Sequence, residues 1–229
     1  SSYGAIGAVI ASDRVAEPFL DPTSMYTHGI TFGGHPVQCA VALKNIEIME
    51  REGLDGIVAL NPVNVFYLGN YFSYELQKLR AIPSFAVMPR DPNKPSFLVV
   101  ASSDLWFIAN AAREHPEIIP YASPVGWEQY RDPALWSREP ESGNYMRMPE
   151  NTDALTEIER GWYELEKRWE TGKAATPEWG LVRALREAGL SNGKVAVDDM
   201  RIKDILATLG QNRISCVPGD NTFRKIRMI

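Results

Sequence analysis

Past Gly53 the sequence alternates short apolar runs with amphipathic stretches, and that alternation confines the chain to a sheet that carries helices on its faces. Residues 56–60 and 65–68 have strand composition around an Asn61-Pro62 turn. Residues 84–88 and 96–101 read as a strand pair. The link between them holds Pro89, Pro92 and Pro95, which suits a hairpin loop and not a continuous strand. Ser103 is placed to cap a helix running to about Arg113, and residues 118–122 form another strand. After a proline- and aromatic-rich excursion over residues 123–150, an amphipathic helix follows with Leu155, Ile158, Trp162, Leu165 and Trp169 on one face. Thr176-Pro177 opens a helix that Gly189 ends. A strand over 194–198, a helix over 202–209 stopped by Gly210, and a strand over 214–217 complete the series. The fold class expected is α/β, a mixed sheet with flanking helices.

Before Gly53 the texture differs. Residues 5–11 suit a short buried strand, and 21–35 are loop-like, rich in Thr, Ser, Gly and Pro. A helix begins at Pro36, whose missing N–H costs nothing in a first turn. Cys39, Leu43, Ile46 and Met49 give it one apolar face, and Gly53 stops it. That face is expected to dock on the sheet that starts at Gly56.

With 45% hydrophobic and 23% charged residues the 229-residue chain has the material for a real core. A net charge of −5 gives no reason to expect nucleic acid or an anionic membrane as partner, and no apolar run is long enough to span a bilayer. Two cysteines, Cys39 and Cys216, are too few for a disulfide framework or a Cys-rich zinc site, which favours a reducing, cytoplasmic setting. The start lacks both an initiating Met and the basic opening of a signal peptide. The end stops within an apolar, basic stretch. Both ends look cut, so the chain reads as a fragment.

The loop ahead of the first helix runs Thr27-His28-Gly29-Ile30-Thr31-Phe32-Gly33-Gly34-His35-Pro36. A hydroxyl and free N–H groups in a glycine-rich loop before a helix can hold a phosphate. The plainer reading is a tight turn whose His35 caps the helix. The wording is more specific than the physics. Residues 3–54, with Gly-Ala-Ile-Gly-Ala-Val-Ile ahead of this loop and Ile-Met-Glu-Arg-Glu-Gly-Leu after it, resemble the class III (omega-type) pyridoxal-phosphate aminotransferases. That resemblance implies that Thr31 binds the cofactor phosphate of a partner subunit. It also implies that the Schiff-base lysine lies upstream of Ser1. Lys44, on the helix after the loop, is no substitute.

Leu54-Asp55-Gly56 through Val65-Phe66-Tyr67-Leu68-Gly69-Asn70-Tyr71 resembles the opening of the creatinase/prolidase (M24) metallopeptidases. Asn70 stands where that pattern usually has Gly, and Gly69 where Thr is frequent. The strand at 194–198 and the phrase Phe223-Arg-Lys-Ile-Arg-Met-Ile229 agree with the same family, and the resemblance spans residues 53–229. It implies a noncatalytic N-terminal domain. The metal pair of such enzymes belongs to a C-terminal catalytic domain that would begin after Ile229. The division expected is an aminotransferase-like fragment over 1–53 and a creatinase/prolidase N-terminal-like domain over 54–229.

Neither piece supplies catalytic or metal-binding residues. His28, His35 and His115 have no ligand spacing, and Asp198-Asp199 suit turn or capping roles because adjacent strand residues point to opposite faces. By the same resemblance Arg80 is a candidate for reaching a neighbouring active site. Trp127, Tyr130, Trp136 and Tyr145 suit burial against the Trp162 helix or an entrance contact. No cofactor is expected in this chain; a divalent metal pair or pyridoxal phosphate belongs to intact relatives only. The partners to expect are the missing C-terminal catalytic domain and, at most, a second copy in a homodimer. Two other readings stay open: a pyridoxal-phosphate-binding remnant with an appended domain, and a stand-alone interaction domain.

Overall fold

The computed structural model describes residues 36–72, 82–110, 116–122, 151–168 and 172–227. Their order is α1 (Pro36–Arg51), β1 (Gly56–Ala59), α2 (Pro62–Gly69), β2 (Phe85–Pro89), β3 (Phe97–Ala101), a 3-10 turn (Ser102–Asp104) and α3 (Leu105–Asn110). Then come β4 (Glu117–Tyr121), α4 (Glu157–Arg168), α5 (Pro177–Glu187), β5 (Lys194–Val197), α6 (Arg201–Thr208), β6 (Ser215–Pro218) and α7 (Asp220–Arg227). The six strands form one mixed sheet in the order β4-β3-β2-β1-β5-β6. Strand β2 runs antiparallel to both its neighbours, and the pairs β1/β5, β3/β4 and β5/β6 are parallel. The α/β class expected from the alternation is the one found.

Side chains alternate across each strand, so the sheet has two apolar faces. Val58, Phe85, Val87, Val99, Val195 and Val197 meet Leu181 and Leu185 of α5 and Ile202 and Leu206 of α6. Ile57, Ala59, Ala86, Leu98, Val100 and Ala196 meet helices α1, α2, α3 and α7. Burial on both faces explains why these strands read as continuous apolar runs. Gly180 lets α5 approach closely, because a Cβ there would lie 2.6 Å from Val99 Cγ1.

Local signals behave as their chemistry requires. The Thr176 hydroxyl accepts the Trp179 amide at 3.3 Å, with Pro177 at the first helical position. Gly53, Gly189 and Gly210 take positive φ of 61°, 75° and 71° just past α1, α5 and α6, the conformation that favours glycine after a helix.

Four expectations are corrected. Residues 65–68 are not a strand: they lie in α2, whose Asn61 side chain accepts the Val63 amide ahead of Pro62, and which ends at Asn70 with φ 51°. An Asn-Pro pair signals a turn and also the start of a helix, and a mostly apolar run of eight residues shows no decisive period. Ser103 does not cap a helix. It lies inside the 3-10 turn that leads straight out of β3, and its hydroxyl is buried without a partner. On α1, Met49 is buried as expected and Ile46 half-buried, but Leu43 is 61% exposed and Ile48 and Asn45 are buried instead. Cys39 lies outside the residues whose side chains are described. The helix is rotated relative to that expectation, and Asn45 turns inward, where its Nδ2 donates to Tyr67 Oη at 3.5 Å. On α4, Ile158 is exposed and Glu166 is buried; Trp162 stays half-buried, edge-on to Trp106 of α3 at 5.7 Å.

Candidate functional site

In an open α/β sheet a crevice forms where neighbouring parallel strands send their following connections to opposite faces. Strands β1 and β5 meet that condition: they pair in parallel, β1 continues into α2 on one face, and β5 continues into α6 on the other. Asp198 stands at this point because β5 ends at Val197. Its carboxylate is already engaged. The Leu60 amide donates to Oδ1 at 2.8 Å, while the Asn61 amide at 3.0 Å and Asn64 Nδ2 at 2.8 Å donate to Oδ2.

Burial pushes the Asp198 carboxyl above the usual aspartate range, with Asp199 adding to the rise, against the pull of the Leu60, Asn64 and Asn61 donors. Asp199 behaves oppositely. Its hydrogen-bonded pair with the Arg201 guanidinium (Nε to the two oxygens at 3.0 and 2.9 Å) holds it below that range. It also accepts the Arg201 amide at 2.9 Å, so it fixes the turn into α6. The two acids share no hydrogen-bond partner. Two polar atoms near this end of the sheet are buried without a hydrogen bond: Asn64 Oδ1, and Ser84 Oγ, immediately before β2. The arrangement is an internal acceptor filling a cradle of donors, and it presents no activated nucleophile.

Two further clusters escaped sequence reasoning. Glu166 of α4 and Lys173 form a buried ion pair at 2.5 Å, with side chains 1% and 3% exposed. Spacing gave no hint of it, since both are charge types that ordinarily face water. Glu52, beyond α1, accepts from Thr222 and from Lys225 of α7. Although partial burial raises its carboxyl, the Lys225 and Thr222 contacts and the nearby Arg51 charge bring it below the usual glutamate range. Lys44 lies exposed on α1, 2.7 Å from Glu47. Among the described residues there is no group of three or more His, Cys, Asp or Glu side chains that could hold a metal ion. No helix among them is long and apolar enough to cross a membrane. Thr31, His28, His35, His115, Arg80 and the aromatics Trp127, Tyr130, Trp136 and Tyr145 lie outside the described residues.

No family model matches the chain. A segment of 61 residues, 27% of the chain, is 57% identical to a probable aminotransferase of Mycobacterium tuberculosis; it spans 13% of that protein. Among solved structures, a proline dipeptidase from Streptococcus pneumoniae aligns with 82% of the chain and 97% of its own, at 14% identity and a TM-score of 0.46. The creatinase/prolidase N-terminal domain of an X-Pro dipeptidase from Streptococcus pyogenes aligns with 83% of the chain and 98% of its own, at 9% identity and a TM-score of 0.39.

Proposed function

We propose that residues 54–229 act as a noncatalytic domain of the kind that precedes the catalytic part of creatinase/prolidase metallohydrolases, joined behind a segment like a class III aminotransferase. The observation that carries this reading is the engaged carboxylate of Asp198. Where an open α/β sheet would take a ligand, Asp198 occupies the donors of Leu60, Asn61 and Asn64 itself. The wording of residues 54–71 supports the same assignment, since that stretch builds both β1 and α2, which meet Asp198 at this end of the sheet. The role that follows is structural, namely contacts to another domain or to a second copy.

A second reading has its own support. The identity of the 61-residue segment to an aminotransferase favours a pyridoxal-phosphate-binding remnant, with Thr31 as the phosphate contact. Lys44, on the helix that follows the Thr31 loop, is exposed and paired with Glu47. One set of assays separates the readings. Incubation with pyridoxal phosphate and borohydride is expected to give no adduct at a single lysine, and Xaa-Pro dipeptides with manganese, cobalt or zinc are expected to remain intact. A uniquely mapped adduct would establish the remnant, and chelator-sensitive turnover would sink the noncatalytic reading.

A further inference from the structure

Helix α2 carries two buried polar side chains one turn apart on the same face, Asn64 and Tyr67. They reach in different directions. Asn64 Nδ2 donates to Asp198 at the end of β5, and Tyr67 Oη donates to the Ile226 carbonyl of α7 at 2.9 Å. Carbonyls in the last turn of a helix have no partner within the helix, so Tyr67 satisfies a group that burial would otherwise leave costly. Phe223 and Ile226 of α7 are buried in the same core as Val65 and Tyr67. At its other side α7 is held by Glu52 through Thr222 and Lys225, a contact that does not involve α2.

We infer that α2 is a strut that couples the Asp198 end of the sheet to the seating of the last helix, so that loss of the Asn64–Asp198 bond loosens α7, which neither residue touches in the hydrogen-bond network. The strut works because α2 is short and stiff. Freeing its first turn shifts the next one, and the Tyr67 hydroxyl moves with it. Glu52 gives α7 a second anchor by a separate route, which makes the two contributions separable.

The test is amide hydrogen exchange on the 229-residue chain and on Asn64→Ala, Tyr67→Phe, the double variant and Glu52→Gln. Each single variant should speed exchange in residues 220–227 by about tenfold, the ratio that a net hydrogen bond of about 1.4 kcal/mol would give. The Asn64/Tyr67 double variant should exchange no faster than the quicker single, because both break one linkage. Combining Glu52→Gln with Asn64→Ala should instead multiply the two factors. Multiplying effects in the Asn64/Tyr67 pair would overturn the inference, as would an Asn64→Ala variant that leaves α7 unchanged. A rise spread evenly over β5, α5 and α7 would also count against it, since it would mean plain loss of stability without transmission along α2.

Discussion

Asp198 and Asp199 are adjacent, chemically identical and electrostatically opposed. The first is half-buried and meets only neutral N–H donors, so desolvation dominates; the second is paired with a guanidinium, so attraction dominates. The raised carboxyl makes a stability prediction with a definite sign. The folded chain holds the Asp198 proton at a pH where the unfolded chain has released it. The contribution is therefore fully present below the ordinary aspartate value and is lost as pH rises through the raised folded one. Urea midpoints of wild type minus those of Asp198→Asn should fall as pH rises through that window, and a flat or rising difference would reject the burial argument. At the same scale, Lys173→Met leaves Glu166 buried without its cation. Breaking one partner of such a pair costs about 3–5 kcal/mol, whereas the double change Lys173→Met with Glu166→Leu should recover most of that loss in equilibrium denaturation.

At the level of elements, the first helix is where two textures of sequence meet in one core. Ile48 and Met49 of α1 pack with Ile57, Val65 and Phe223, and the Leu54 amide closes back on the Met49 carbonyl at 2.8 Å. Removing residues 1–52 should therefore lower the unfolding midpoint well below that of a chain lacking residues 1–34, which keeps those side chains. At roughly 1.5–3 kcal/mol for each large buried side chain, the gap between the two truncations should amount to several kcal/mol before entropy is counted. Equal midpoints would mean that α1 lies on the sheet without supporting it. The elements legible in the sequence were those with chemical punctuation: Thr176-Pro177 before α5, Gly53 after α1, the proline-rich link between β2 and β3. Those misread lacked it or carried it in two senses. Asn61-Pro62 serves a turn and a helix start equally well. The inward face of α1 carries a polar residue, Asn45, whose partner Tyr67 is 22 positions away. The Glu166–Lys173 pair was hidden for a related reason, since only the packed structure removes both charges from water.

Considered whole, the described fold is a mixed sheet in which one strand, β2, runs against all the others, and this places the loop from Arg90 to Pro95 at the opposite end of the sheet from Asp198. The sequence conveyed the α/β alternation but not this strand order, which depends on pairings between residues as distant as Gly56 and Val195. Helix α1, which opens the described fold, and helix α7, which closes it, lie side by side, joined by Glu52 to Thr222 and Lys225. That latch ties the first described helix to the last across all the sequence between them. A chain cut at the exposed stretch Asp91-Pro92-Asn93-Lys94 would leave two pieces that still meet along β1 and β5, along β2 and β3, and through the same latch.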